Sequence, residues 1–168
     1  INFVDDTFVV NKKRVKQICD LLINRNIDLS WSCEAKVNFV NPEMLKLMKK
    51  AGCWQIAYGI ETGSQDILDS IDKGTTLKQA EDAMKWSKQA GIETRGFFMI
   101  GSPGETKGTI TETINFIKKV ELDDFHVTFF TPYPGTYIYK NLSKFYSDIK
   151  DWKIMNCRGP VFVPPGLT

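Results

Sequence analysis

The chain has 168 residues, 42% hydrophobic and 25% charged, which is ordinary globular composition and enough for one sizeable core. Its net charge of +2 comes from 22 basic and 20 acidic residues without long blocks of one sign, which argues against a nucleic-acid partner and against an acidic disordered tail. No apolar run approaches the roughly 18 to 20 residues needed to cross a bilayer and no signal-peptide pattern opens the chain, so the expectation is a cytoplasmic protein without a membrane partner.

In chain order, Ile1 to Val4 is a short β-prone run ending in Asp5-Asp6. Lys12 to Asn24 then places Val15, Ile18, Leu21 and Leu22 at helical spacing. The chain begins on Ile1 inside a strand-like run without an initiator Met, and the expectation is that the natural polypeptide extends upstream. Leu29 to Cys33 is a second strand, and Asn41 before Pro42 supplies an N-cap with proline at the first helical position, opening a helix over Pro42 to Lys50 that Gly52 closes. Trp54 to Ile60 is a third strand. Ser64 can cap a helix that Lys73-Gly74 breaks, and a longer helix follows from Thr76 to Gln89, ending at Gly91. Glu93 to Ile100 is the fourth strand, leading into Gly101-Ser-Pro-Gly-Glu-Thr106. Ile110, Ile114 and Ile117 mark the next helix, Phe125 to Thr131 the fifth strand, and Thr136 to Tyr146 a last helix.

Strand and helix alternate five times without a hairpin signal, so the fold class is α/β with parallel strands joined by right-handed crossovers. Periodicity does not decide between a closing barrel and an open doubly wound sheet. The expected organisation is one domain over residues 1–150 and an irregular, Pro- and Gly-bearing tail over 151–168. Cys19, Cys33, Cys53 and Cys157 form no C-x-x-C pair and read as reduced thiols; neither a disulfide scaffold nor a zinc site is expected.

In parallel α/β folds the loops leaving the carboxyl ends of the strands share the face that carries the active site. Here those loops hold Asp5, Asp6 and Thr7; Glu34 and Lys36; Glu61, Thr62 and Ser64; Ser102 and Glu105; and Thr131 with Tyr133. Asp5-Asp6 could attract a cation or an ammonium group, or serve only as a loop carboxylate bonded to backbone. Glu61 lies between glycines, where a ligand hydroxyl could be accepted; its bland alternative is a salt bridge with a neighbouring Lys or Arg. Gly96 to Glu105 could expose main-chain groups and the apolar Met99 to a planar ligand, or could be only a well-made strand-to-helix turn. It lacks the Gly-Lys-[Ser/Thr] ending of a phosphate loop. His126 reads as a satisfied strand residue, and Trp31, Trp54 and Trp86 as packing.

Taken in order, Phe3-Val-Asp-Asp-Thr-Phe8, Pro42-Glu-Met-Leu45, Ala51-Gly-Cys53, Gly59-Ile-Glu-Thr-Gly-Ser64, Lys73-Gly74, Gly101-Ser-Pro-Gly-Glu-Thr106 and Pro132-Tyr-Pro-Gly-Thr136 resemble the radical S-adenosylmethionine (SAM) superfamily. The resemblance is to the branch that often carries a cobalamin-binding domain upstream and includes oxidative cyclases of magnesium-protoporphyrin monomethyl ester and radical methylases. It implies a partial (β/α)6 TIM-like barrel, of which the five units here are units two to six.

It further implies that Asp5, Asp6 and Thr7 hold the methionine amino group of SAM and that Lys36 stands where relatives usually have an arginine for the methionine carboxylate. Lysine keeps that charge but loses the bidentate fork. Glu61 and Ser64 would lie near the ribose, Gly96, Met99, Gly101 and Glu105 would line the adenine, and Thr131 would close the set. The family's Cys-x3-Cys-x2-Cys motif, which binds a [4Fe–4S] cluster, has no counterpart in this chain, so the cluster is expected on an upstream segment and the fragment alone is expected to be inactive. The implied partners are a small-molecule substrate, that upstream domain, and an electron donor such as flavodoxin or ferredoxin. The competing readings are a conventional barrel lyase or isomerase using Asp6, Glu61 and Glu105, and a non-catalytic barrel module.

Overall fold

A computed structural model describes residues 1–146 and 152–167 of the chain. Five strands, β1 (Asn2–Phe3), β2 (Trp31–Ala35), β3 (Cys53–Glu61), β4 (Glu93–Ile100) and β5 (Asp124–Phe129), form one parallel sheet in the order β1-β2-β3-β4-β5. The connections are α1 (Lys12–Asn24), α2 (Pro42–Lys50), α3 (Gln65–Ser70) with α4 (Leu77–Ala90), and α5 (Lys107–Val120); α6 (Tyr137–Tyr146) follows β5. Among the described residues no helix is long and apolar enough to cross a membrane.

Strand order decides what periodicity left open. Each strand pairs with its neighbour in sequence, and the helices touch in the same progression, α1 on α2, α2 on α4 and α4 on α5. A doubly wound sheet reverses its strand order at a switch point, whereas a singly wound one advances steadily, as a barrel wall does. The chain is therefore a barrel wall with its crossover helices packed side by side along the sheet.

The helices start where local chemistry starts them. Asn41 accepts a hydrogen bond from the Met44 amide at 2.8 Å, Pro42 fills the first turn, and Lys49 and Lys50 face the negative end of the α2 dipole. Thr76 with Gln79 and Thr106 with Thr109 make reciprocal capping boxes at the starts of α4 and α5. The core lies between the sheet and the helices. Trp31 is fully buried, donates its indole N–H to the Ala51 carbonyl at 2.7 Å, and packs on the rings of Phe3 and Phe8. Tyr58 is buried in the same layer and shares a 2.9 Å hydrogen bond with Ser87.

Some expectations shift. The second strand starts at Trp31 rather than Leu29, because the Trp31 amide is the first to find a partner across the sheet, the Gly52 carbonyl. The fifth runs from Asp124 and stops at Phe129, where the Phe129 amide turns to the Cys157 carbonyl. Trp54, expected in the packing, is 42% exposed at the foot of β3. Residues 152–167 fold back across the carboxyl ends of β4 and β5, where Phe162 meets Phe130 edge-on and Gly166 sits against the Glu105 carbonyl. The expected boundary at 150/151 lies outside the described residues.

Candidate ligand site at the strand ends

The carboxyl edge of the sheet holds a cavity of about 200 Å3 built by the loops after β1, β2 and β3 and by the strands beneath them. Its floor is Ala57 and Gly59 on β3 beside Phe97 on β4; its charged rim is Asp6, Glu34 and Glu61 against Lys36 and Lys73. The small residues on β3 leave the floor low, and Phe97 makes one flat apolar wall. Three larger depressions, of about 390, 380 and 330 Å3, lie elsewhere. The first is a groove between α4 and α5 in which Lys78 pairs with Asp82, Lys88 with Glu121 and Lys119 with Glu81, so three of its four lysines are already matched by carboxylates.

Glu61 is the organising residue. It ends β3 after a register break between Gly59 and Glu61 and adopts φ +73°, a left-handed conformation that costs a non-glycine residue about 1–2 kcal/mol. That backbone turns its carboxylate onto the Lys73 ammonium, and both side chains are largely buried, 16% and 22% exposed. A β-carbon on Gly59 would lie 2.8 Å from the Glu61 carboxylate and 3.1 Å from the Lys73 nitrogen, so the bare backbone at 59 makes the room the pair occupies. The bland alternative for Glu61, an ion pair with a neighbouring lysine, and its placement in the cavity are thus the same arrangement. Asp6, Glu34 and Lys36 make no ion pair among the described residues.

Other candidates fall around this cavity. Thr7 lines it and donates its hydroxyl to the Asp6 carbonyl. Asp5 is turned away: it binds Arg14 at 2.9 Å and accepts from the Thr7 amide, so the negative spot expected from two adjacent aspartates is reduced to Asp6. Ser64 is buried beneath the loop, outside the cavity lining, and makes no side-chain cap to α3. Gly96 faces the helix layer, where an added β-carbon would meet Leu122 and Phe98 at 2.7 Å. Met99 shares the inner strand face with Phe97 by strand alternation. Thr131 is buried just past β5 and donates to the Phe129 carbonyl. The residues that sequence reasoning passed over are Phe97 and Lys73. Lys73 stood in a Lys-Gly pair read as a helix breaker and as one piece of the family resemblance, with no role of its own, and left-handed turns at Asp72 and Gly74 flank it at the strand end.

Glu105 folds back into its own loop. It is 1% exposed, and its carboxylate accepts the Gly101 amide, with the Ser102 amide as a second donor. Burial raises its pKa above the ordinary carboxylate value and the two amides partly oppose this. A carboxyl whose folded-state pKa is raised adds stability that is full below its unfolded pKa and fades as pH climbs through the folded value. Glu105→Gln is therefore expected to flatten the fall in melting temperature on going from acid toward neutral pH; an unchanged slope in a pH series of thermal melts contradicts this.

Cys19, Cys33 and Cys53 are buried between the sheet and its helices, where burial pushes the Cys19 thiol up to about 11 and the Cys33 contact and burial push Cys53 up strongly. Among the described residues no group of His, Cys, Asp or Glu is placed to hold a metal ion.

A singly wound parallel βα sheet with a charged cavity on its carboxyl edge defines a barrel-type α/β domain. The profile of the radical SAM superfamily matches residues 1–117, and the chain belongs to that superfamily. An uncharacterized methyltransferase of Pyrococcus horikoshii is 41% identical over 140 residues, which are 83% of this chain and 30% of that protein. An anaerobic magnesium-protoporphyrin IX monomethyl ester cyclase of Cereibacter sphaeroides is 29% identical over 98% of this chain and 27% of its own length. The fold matches that of the radical SAM methyltransferase TsrM of Kitasatospora setae, solved with cobalamin and a [4Fe–4S] cluster, with TM-score 0.75 at 18% identity over 88% of this chain and 29% of TsrM. The chain thus spans about three tenths of these relatives. The reading as a conventional lyase is set aside by this membership, and Glu105, one of its three acid–base groups, lies outside the cavity lining.

Proposed function

We propose that this chain is the SAM-binding part of a radical SAM enzyme that methylates or oxidatively cyclises a small molecule. The observation that carries the reading is the cavity itself: carboxylates on Asp6 and Glu34 and an amine on Lys36, without ion-pair partners in the described chain, complement the ammonium and carboxylate of a methionine. About 200 Å3 is below the range of about 300–1,000 Å3 for whole-ligand pockets, so the cavity suits one end of SAM and not all of it. In this reading Asp6 and Thr7 hold the amino group and Lys36 the carboxylate. Glu61 lies toward the ribose, and Met99 with the Gly101 loop offers the shelf for adenine. Asp5, Ser64, Gly96, Glu105 and Thr131 support these elements from behind.

The cluster's thiolates belong, in this reading, to a segment of the native polypeptide outside the chain, as does any cobalamin domain. When bound, the cluster supplies the electron for SAM cleavage. A tetrapyrrole, as named for the Cereibacter relative, is one candidate substrate. The electron donor would be a flavodoxin or ferredoxin, and the location in this reading is the cytoplasm. The test is anaerobic reconstitution of the full-length protein with iron and sulfide, followed by dithionite and SAM. Formation of 5′-deoxyadenosine is expected; none with an intact cluster contradicts the reading.

A further inference from the structure

The loop carrying Glu61 is held from a distance. Thr113, on the second turn of α5, accepts the Gly63 amide at 2.9 Å and shares a 3.0 Å hydrogen bond with the Thr62 hydroxyl. Thr113 also donates to the Thr109 carbonyl at 3.0 Å, and Thr62 accepts the Ser64 amide at 3.2 Å. Each hydroxyl has one proton, and a carbonyl can only accept. Thr113 therefore spends its proton on Thr109, Thr62 must donate to Thr113, and the chain of bonds runs one way from the Ser64 amide into α5. Thr62 and Thr113 are 1% and 6% exposed, so water does not compete for these bonds.

The packing has the same register. A β-carbon on Gly63 would lie 2.5 Å from the Phe116 β-carbon and 2.6 Å from the Thr113 α-carbon, so the loop backbone rests directly on the helix. The same helix is capped by Thr106, one residue past Glu105, whose carboxylate holds the Gly101 amide. One helix thus carries both the β3-end loop and the β4-end loop, about two turns apart.

We propose that Thr113 is a positioning residue: through its hydroxyl it fixes the Glu61–Ser64 loop relative to the Gly101–Glu105 loop, so that the two halves of the ligand site are preset before ligand arrives. The proposal rests on the reading of the strand ends as the SAM site. It is tested in the full-length protein with Thr113→Val, which keeps shape and loses the hydroxyl, Thr113→Ser, which keeps the hydroxyl, and Thr111→Val, an exposed threonine of the same helix whose hydroxyl bonds only within α5. Amide exchange by mass spectrometry over residues 61–65 and the dissociation constant of S-adenosylhomocysteine are measured together.

Thr113→Val is expected to speed exchange of the Gly63 and Ser64 amides about tenfold and to weaken S-adenosylhomocysteine about tenfold, the scale of one lost buried hydrogen bond. Thr113→Ser and Thr111→Val should stay near wild type in both. Unchanged loop exchange in Thr113→Val overturns the proposal, as does a lower melting temperature with unchanged exchange and affinity, which would mark a purely structural hydroxyl. If Thr113→Val does not fold, Thr62→Val breaks the Thr62–Thr113 and Ser64–Thr62 bonds from the loop side while leaving the Gly63 amide on Thr113. Faster exchange of the Ser64 amide with weaker S-adenosylhomocysteine binding is then the expected result, and unchanged Ser64 exchange the overturning one. Failure of wild type to bind S-adenosylhomocysteine sinks the site reading instead, and the exchange data still decide the clamp.

Discussion

Glu61→Gln is expected to weaken binding of S-adenosylhomocysteine by roughly 10- to 100-fold, the range of one charge-assisted hydrogen bond. The amide keeps the size of the side chain but removes the charge opposite Lys73, leaving a largely buried ammonium without its counterion at the edge of the cavity. Glu61→Gly should separate function from stability. It relieves the left-handed backbone at φ +73°, about 1–2 kcal/mol, while losing the ion pair, so its melting temperature should stay close to wild type as binding falls. A residue held in a strained conformation that can be replaced without loss of stability is one whose strain serves the site. Calorimetric titration and thermal melting on the same samples check both; equal binding by all three proteins contradicts the role given to Glu61.

Gly63→Ala should have the largest effect on stability among changes near the site. The added methyl would stand 2.5 Å from the Phe116 β-carbon, 2.6 Å from the Thr113 α-carbon and 3.0 Å from the Glu112 carbonyl. None of these is the far end of a flexible side chain, so either the loop lifts or α5 shifts. Overpacking of this kind costs about 1–3 kcal/mol and occasionally more, and the upper end is expected here. In a domain of this size that lowers the melting temperature by roughly 6 to 12 °C. The lifted loop should also lose the protection of the Ser64 amide. A melt within 2 °C of wild type, a cost of no more than about one kcal/mol, would show that the contact yields easily.

The elements were legible wherever a cap or breaker sits beside a periodic run. Asn41-Pro42 and Lys49-Lys50 mark both ends of α2, and Gly91 in the left-handed conformation ends α4. Strand ends were read less well, because alternation reports which face a residue takes and not where cross-strand pairing begins. Trp31 starts β2 only because the Gly52 carbonyl lies opposite its amide. Barrel-like winding needed the strand order, which no local pattern records.

The site was legible as a set of strand ends, not as contacts. Asp5 and Asp6 are indistinguishable in sequence; Arg14, nine residues on, is what claims Asp5 and frees Asp6. Lys73 is twelve residues from Glu61, and Thr113 is fifty from Gly63, with nothing local in either case to announce the pairing. Glu105 carried a turn motif that showed where its loop lies but not that the carboxylate closes on Gly101.

The central claim is that the cavity between Asp6, Lys36 and Glu61 receives the methionine end of SAM. A crystal structure of the full-length protein with a non-cleavable SAM analogue tests it most directly. The analogue's ammonium is expected within hydrogen-bonding distance of Asp6 or Thr7, and its carboxylate at Lys36. An analogue bound elsewhere on the domain, with these side chains still facing solvent, would contradict the claim.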